Sequence, residues 1–178
     1  MKMFVKAYCV LAPIAALSMT ACGESSPTAP TTTTTTATTG ATVTLLAAPD
    51  PAIAEPSAGV TYIENDQVLE FQWKTTFAII VRLNEGQVAT NVNSLSLVLQ
   101  QASGGILIAP VTGETVRFRF DTRVPGNRLE PAGEVVVEFD LFYTLPNQGK
   151  EALITVILAL VNDSSVTTTD NIQLRVAP

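Results

Sequence analysis

Few residues in this chain could do chemistry, and their types and spacing decide what remains. There is no histidine, so neither a Ser-His-Asp nor a Cys-His arrangement can form, and no imidazole is present to ligate zinc. The two cysteines, Cys9 and Cys22, both lie near the N-terminus. Glu138 and Asp140 sit two residues apart, which on a strand would put both on one face about 7 Å from each other. Paired-carboxylate catalysis needs two acids across a cleft, so these are expected to be outward, solvated charges. No catalytic residue is assigned and the chain is expected to be non-enzymatic.

Two further clusters could bind ligands. The run "NDSSVTTTD" holds Asp163 and Asp170 with Asn162 and Ser164, all oxygen donors of the kind Ca²⁺ takes. The same Asn-Asp-Ser-Ser run also suits a hairpin turn for backbone reasons. Asp163 and Asp170 are therefore calcium candidates only, and no metal or cofactor is assigned. Arg117, Arg119, Arg123 and Arg128 crowd one short stretch. Alternation with Phe118 and Phe120 turns Arg117 and Arg119 outward. They can pair across strands with Glu138 and Asp140, the preferred reading, or form a patch for an anionic glycan or lipid headgroup. The formal net charge of −6 speaks against nucleic acid as a partner, since that needs a basic footprint.

The segment "MKMFVK" supplies a positive start with Lys2 and Lys6, and "AYCVLAPIAAL" is an apolar run. That run has the length of a signal-peptide core and falls short of the ~20 residues of a membrane span. Small and uncharged residues then lead to Ala21-Cys22. The sequence Met19-Thr20-Ala21-Cys22 resembles the lipobox of bacterial lipoproteins. The resemblance implies that residues 1–21 are a signal peptide and that Cys22 becomes the lipid-bearing N-terminus. It also implies the membrane as a partner through that anchor. Each buried CH₂ adds about 0.8 kcal/mol, so two or more acyl chains attach a protein stably. Gly23, standing where an inner-membrane-retained lipoprotein of Gram-negative bacteria often has aspartate, implies the outer membrane.

After Cys22 comes "GESSPTAPTTTTTTATTGAT", with too little apolar surface to offset its ordering entropy. Residues 22–59 are expected to be the lipidated cysteine and a disordered tether spanning roughly 30–35 Å. "ATVTLL" within it is a candidate short strand. From Val60 the pattern changes. "VLEFQWKTTFAIIVRL" alternates with period two, and a bend is expected near Lys74 to Thr76 because one strand of that length would be unusual. "NSLSLVLQ", "TVRFRFD" and "EVVVEFDLFYTL" repeat the alternation, with "NEGQ", "SGG", "VPGN", "EPAG" and "NDSS" as turns between strands. Residues 60–178 are thus expected to form an all-β antiparallel β-sandwich of about seven to nine strands. Phe71, Trp73, Phe118 and Phe139 are expected between the sheets, with Arg117, Arg119, Glu138 and Asp140 exposed.

The Pro-Ala-Gly turn in "NRLEPAGEVVVEFDLFYTL" and the closing hairpin "LALVNDSSVTTTDNIQLRV" resemble immunoglobulin-like modules of bacterial envelope proteins. Unlike antibody domains, this stretch has no inter-sheet cysteine pair. The resemblance implies a structural, adhesive or accessory role in the cell envelope.

One strand breaks the alternation. In "EALITVILALV" the set Ile154, Val156, Leu158 and Leu160 is expected to face the core, leaving Leu153, Ile157 and Val161 on the outer side. Contiguous apolar surface there needs a cover. The cover could be "ATVTLLAAP" folding back, the shade of neighbouring strands, or an envelope protein partner. Leu153, Ile157 and Val161 are the candidate partner face. A glycan-binding or adhesin-type module using loops or the arginine strand is the alternative function.

Overall fold

A computed structural model describes residues 35–58, 60–64, 66–109 and 116–178. The expected signal peptide, Cys22 and the first part of the expected tether lie outside the described residues. Strands are numbered along the chain. The first four are β1 (Thr36–Thr39), β2 (Val43–Ala48), β3 (Ala52–Ile53) and β4 (Glu55–Pro56). A hairpin of β5 (Thr61–Glu64) and β6 (Gln67–Glu70) leads into β7 (Trp73–Leu83) and β8 (Thr90–Ser103). Then come β9 (Ile106–Leu107), β10 (Arg117–Arg123), β11 (Arg128–Leu129) and β12 (Glu134–Thr144). The last hairpin is β13 (Ala152–Asn162) and β14 (Thr167–Ala177).

These strands form an antiparallel β-sandwich. One sheet has the order β1-β2-β7-β12-β10, with β4 also pairing β7. The other has the order β11-β8-β13-β14-β3, with β9 pairing β8. Among the described residues only β3, beside β14, runs parallel to its neighbour. Among the described residues β2, β7, β8, β10, β12, β13 and β14 have six residues or more, so the sandwich has seven substantial strands, six of them within residues 60–178.

Period-two alternation fixes which face of each strand is buried. Phe77, Ile79, Val81 and Leu83 of β7 meet Val137, Phe139 and Leu141 of β12 on the inner face of the first sheet. Ile154, Val156, Leu158 and Leu160 of β13 are fully buried opposite them. Phe77 and Phe139 are cross-strand partners and stack at 4.8 Å. The Tyr143 hydroxyl donates to the Lys150 carbonyl at 2.7 Å and so fixes the turn between β12 and β13. Burial pushes that hydroxyl's pKa up.

Three expectations change. The folded domain does not begin at residue 60. β2 pairs with β7 along Val43 to Ala48, and Val43, Leu45 and Ala47 are buried in the core. "ATVTLL" is therefore a sandwich strand and not part of a tether. A Thr-rich flank disguised it, because composition reports average polarity and not the alternate aliphatic positions. The long apolar stretch breaks at Phe71 and Gln72, before the expected bend. There Ser57 donates to the Phe71 carbonyl, and Tyr62 packs edge-on against the Phe71 ring at 5.8 Å. Phe71 is buried against the hairpin, and Trp73 is only half-buried beside the core.

The third change is Phe118, which is 37% exposed. Its strand parity is as expected, since it pairs opposite buried Tyr143. What is missing is a layer over it, because β10 is the edge strand of its sheet.

Candidate functional site

The outer face of the first sheet is charged. Asp140 and Asp121 lie directly opposite on β12 and β10, a repulsive placement taken alone. Each is offset by a separate partner. Lys74 reaches Asp140 at 3.0 Å, Arg123 reaches it at 2.8 Å, and the Thr76 hydroxyl donates to it at 3.0 Å. The Tyr62 hydroxyl donates to Asp121 at 2.9 Å, while the Arg119 guanidinium lies 4.5 Å above the Tyr62 ring. Desolvation, then the bond to Asp121, pushes the Tyr62 pKa up to about 12. Asp140 is more enclosed than the sequence reading placed it, at 16% side-chain exposure. Arg123, not Arg117 or Arg119, supplies the cross-strand partner of Glu138 and Asp140.

Burial works to raise the Asp140 carboxyl, but Lys74, Thr76 and Arg123 outweigh it and hold the group below the usual carboxylate range. A lowered folded pKa gives stability that is present above the unfolded value near 4 and lost as pH falls through the folded one. Asp140→Asn is therefore expected to flatten the acid limb of the stability curve below about pH 4. Thermal unfolding in steps from neutral to strongly acidic pH is the measurement. An unchanged acid limb would show that Asp140 is not the group responsible.

The four arginines do not form one patch. Arg128 belongs to the other sheet, where it grips Asp163 through two bonds of 2.9 Å and Glu130 through one of 2.6 Å. Those carboxylates raise the Arg128 pKa, and Arg128 holds Asp163 below the carboxylate range. Arg123 is ion-paired and Arg119 lies on Tyr62, so Arg117 alone of the four has neither kind of partner among the described residues. Arg117 borders a cavity of about 270 Å³ with Leu69, Phe71, Val116 and Phe118.

The calcium candidates are likewise separated. Asp163 faces Arg128. Asp170 is buried at 7% exposure and accepts from the backbone N–H groups of Ala41, Thr42 and Val43 at 3.3–3.4 Å. It clips the β1–β2 turn onto β14, and a Cβ at Gly40 would overlap its carboxylate. Asn162 accepts from the Ser164 and Val166 N–H groups, a turn role and not a ligand role. Among the described residues no group of three or more acidic, His or Cys side chains is placed to hold a metal ion.

The outer face of the second sheet has the opposite character. β8 and β13 contain no charged residue, and β14 adds only the inward Asp170 and the terminal Arg175. Leu153, Ile157 and Val161 run down the centre, half-buried. Their pairing partners on β8 are Gln100, Ser96 and Asn91, and on β14 Arg175, Asn171 and Thr167. Val98, opposite Thr155, adds a 44% exposed aliphatic. The "ATVTLLAAP" segment does not cover this face, since it lies in the other sheet. Flanking side chains shade the aliphatics without enclosing them. Such a surface can bind by shape and apolar area. The Tyr62 hairpin was not singled out in the sequence because nothing in "TYIENDQVLE" shows that its tyrosine reaches a strand 59 positions away.

Comparisons with protein-family models, with curated proteins and with solved structures find no match to this chain.

Proposed function

We propose that this chain is a lipid-anchored cell-envelope protein whose immunoglobulin-like β-sandwich is a non-enzymatic structural or partner-binding module. Cys22 carries the anchor, the outer membrane is the site, and the outer face of the second sheet, charged only towards its ends by Arg175 and Arg128, is the partner surface. The observation supporting this reading is the contrast between the two outer faces. One is laced with ion pairs from Arg82–Glu134 to Arg123–Glu138. The other presents Leu153, Ile157 and Val161 among serine, threonine, asparagine and glutamine, with Arg175 beside Leu153 at one end. Burying a charged face against a partner carries a desolvation cost that an uncharged face avoids. The arginine strand supports the glycan reading less, because Arg119 and Arg123 of its three arginines already have partners within the fold, as does Arg128 on the other sheet.

Crosslinking in intact cells tests the partner face. Ile157→Asp is expected to abolish the crosslinked product while shifting the unfolding temperature by no more than about 3 °C. A retained crosslink removes the partner face from this reading. The anchor is tested separately: the mature protein should begin at Cys22 with an acyl mass, and Cys22→Ala should remove that mass.

A further inference from the structure

Phe118 faces inward and is nevertheless exposed. Along β10, Phe118 and Phe120 pair opposite Tyr143 and Leu141, both fully buried. Phe120 packs against the core and lies 6.0 Å from Phe139, but Phe118 stays outside the core and lines an open cavity with Leu69, Phe71 and Val116. The strand orders explain why. β1 and β2 lie beside β14, so counting across both sheets sets β12 over β8 and leaves β10 over the lane beyond β8. Among the described residues two fragments stand in that lane. β11 pairs with Thr90 and Asn91 at one end of β8, and β9 pairs with Ala102 and Ser103 at the other. Between them, over residues 93–100, no strand of the described residues pairs with the outer edge of β8.

The backbone polarity of this window follows from its neighbours. The Ala102 N–H donates to the Glu151 carbonyl across the β8–β13 seam, and the Ile108 N–H donates to the Gln101 carbonyl on the free side. Antiparallel ladders alternate, so Ser96, Val98 and Gln100 bond to β13, and Leu95, Leu97 and Leu99 point their N–H and C=O groups into the lane. A bulge at Asn93 protects one end of this edge, but the rest is undefended: residues 93–100 contain no lysine, glutamate or proline, and no charged residue occurs between Glu85 and Glu114.

We infer that this lane is a strand-addition site, taking an extended, uncharged segment of another protein with apolar side chains at alternate positions. The open main-chain groups of Leu95, Leu97 and Leu99 require an extended occupant. Leu95, Phe118 and Phe120 above and beside the lane require apolar residues on its inner side. The window spans about eight residues, roughly 26 Å. A second copy does not fit, because β8 paired with itself about a two-fold axis would run into β9 and β11 of both copies. The chain's own residues 23–42 do not fit either, since they contain no valine, leucine, isoleucine or aromatic residue to meet Phe118.

Amide exchange on the full mature chain tests this. The probe is a capped eight-residue peptide alternating valine with threonine; the control is the same peptide N-methylated at alternate residues, in each register. Free protein should exchange quickly at Leu95, Leu97 and Leu99 and slowly at Ser96 and Val98. Saturating peptide should slow the three leucine amides by at least about tenfold, and methylation of the edge-facing register should abolish the effect. Phe118→Ser should weaken peptide binding about tenfold with the fold retained. Slow exchange at the three leucines without peptide would mean the lane is already filled, and would overturn the proposal. So would exchange that saturating peptide leaves unchanged, or binding that is indifferent to Phe118→Ser. Ile157→Asp, on the outer face, should leave peptide binding unaltered, which separates this site from the partner face.

Discussion

A fragment beginning at Ala58 is expected not to fold, whereas one beginning at Thr35 should melt cooperatively. The cut removes β1 to β4 and with them Val43, Leu45, Ala47 and Ala52, each with 0% exposure. Burying a valine or leucine side chain is worth about 1.5–3 kcal/mol, so two of these residues alone approach the 5–15 kcal/mol that holds a typical domain together. The loss does not stop there. β7 loses its ladder partner from Ala78 to Leu83 and becomes an open edge over an exposed core. Asp170 loses the Ala41, Thr42 and Val43 amides and is left as a buried carboxylate without those donors. Asp50, which accepts from the Thr36 hydroxyl and the Arg175 amide, is also removed. Circular dichroism and a thermal scan of the two fragments are the measurement. Equal melting temperatures would put β2 outside the folded unit and restore a tether running to residue 59.

How legible each element was depends on whether its own sequence carried the information. β7, β12 and β13 are long and buried on one face, so alternation alone predicts their parity, down to Ile154, Val156, Leu158 and Leu160 facing the core. β2 has six residues and follows threonines that themselves suit a strand or a disordered linker. Only its place between β1 and β7 makes it structural. For β10 the alternation predicts direction correctly and burial wrongly, because cover is supplied by the other sheet and leaves no mark in "RFRF". Asp170 illustrates the same limit. Its neighbours in sequence point to a turn or a cation, and its partners are backbone amides more than 120 positions earlier. The outward, half-buried placement of Leu153, Ile157 and Val161 was legible because its signal, aliphatic residues on both parities of one strand, lies wholly within β13.

Phe139→Ala and Phe118→Ala make the second large prediction, as a contrast. Both side chains lie on the inner face of the first sheet, yet Phe139 has 0% exposure and Phe118 has 37%. Phe139 sits mid-strand between β7 and β10, stacked on Phe77 with an interplanar angle of 7°. Truncating it leaves a cavity with walls on every side that cannot close without moving two ladders. The expected cost is about 3–5 kcal/mol, a fall in melting temperature of roughly 10–20 °C. Phe118 borders an open cavity, so its removal leaves no enclosed void and forfeits only part of its transfer energy, about 1–2 kcal/mol. Arg119→Ala, on the opposite parity, should also be small, since it loses one contact with the Tyr62 ring. The three values together separate two errors that one value would confuse. A one-residue register slip would make Arg119→Ala costly and Phe118→Ala silent. A correct register with a filled lane would make Phe118→Ala nearly as costly as Phe139→Ala. Only an open lane beside β8 gives a large loss at Phe139 and small ones at both neighbours on β10.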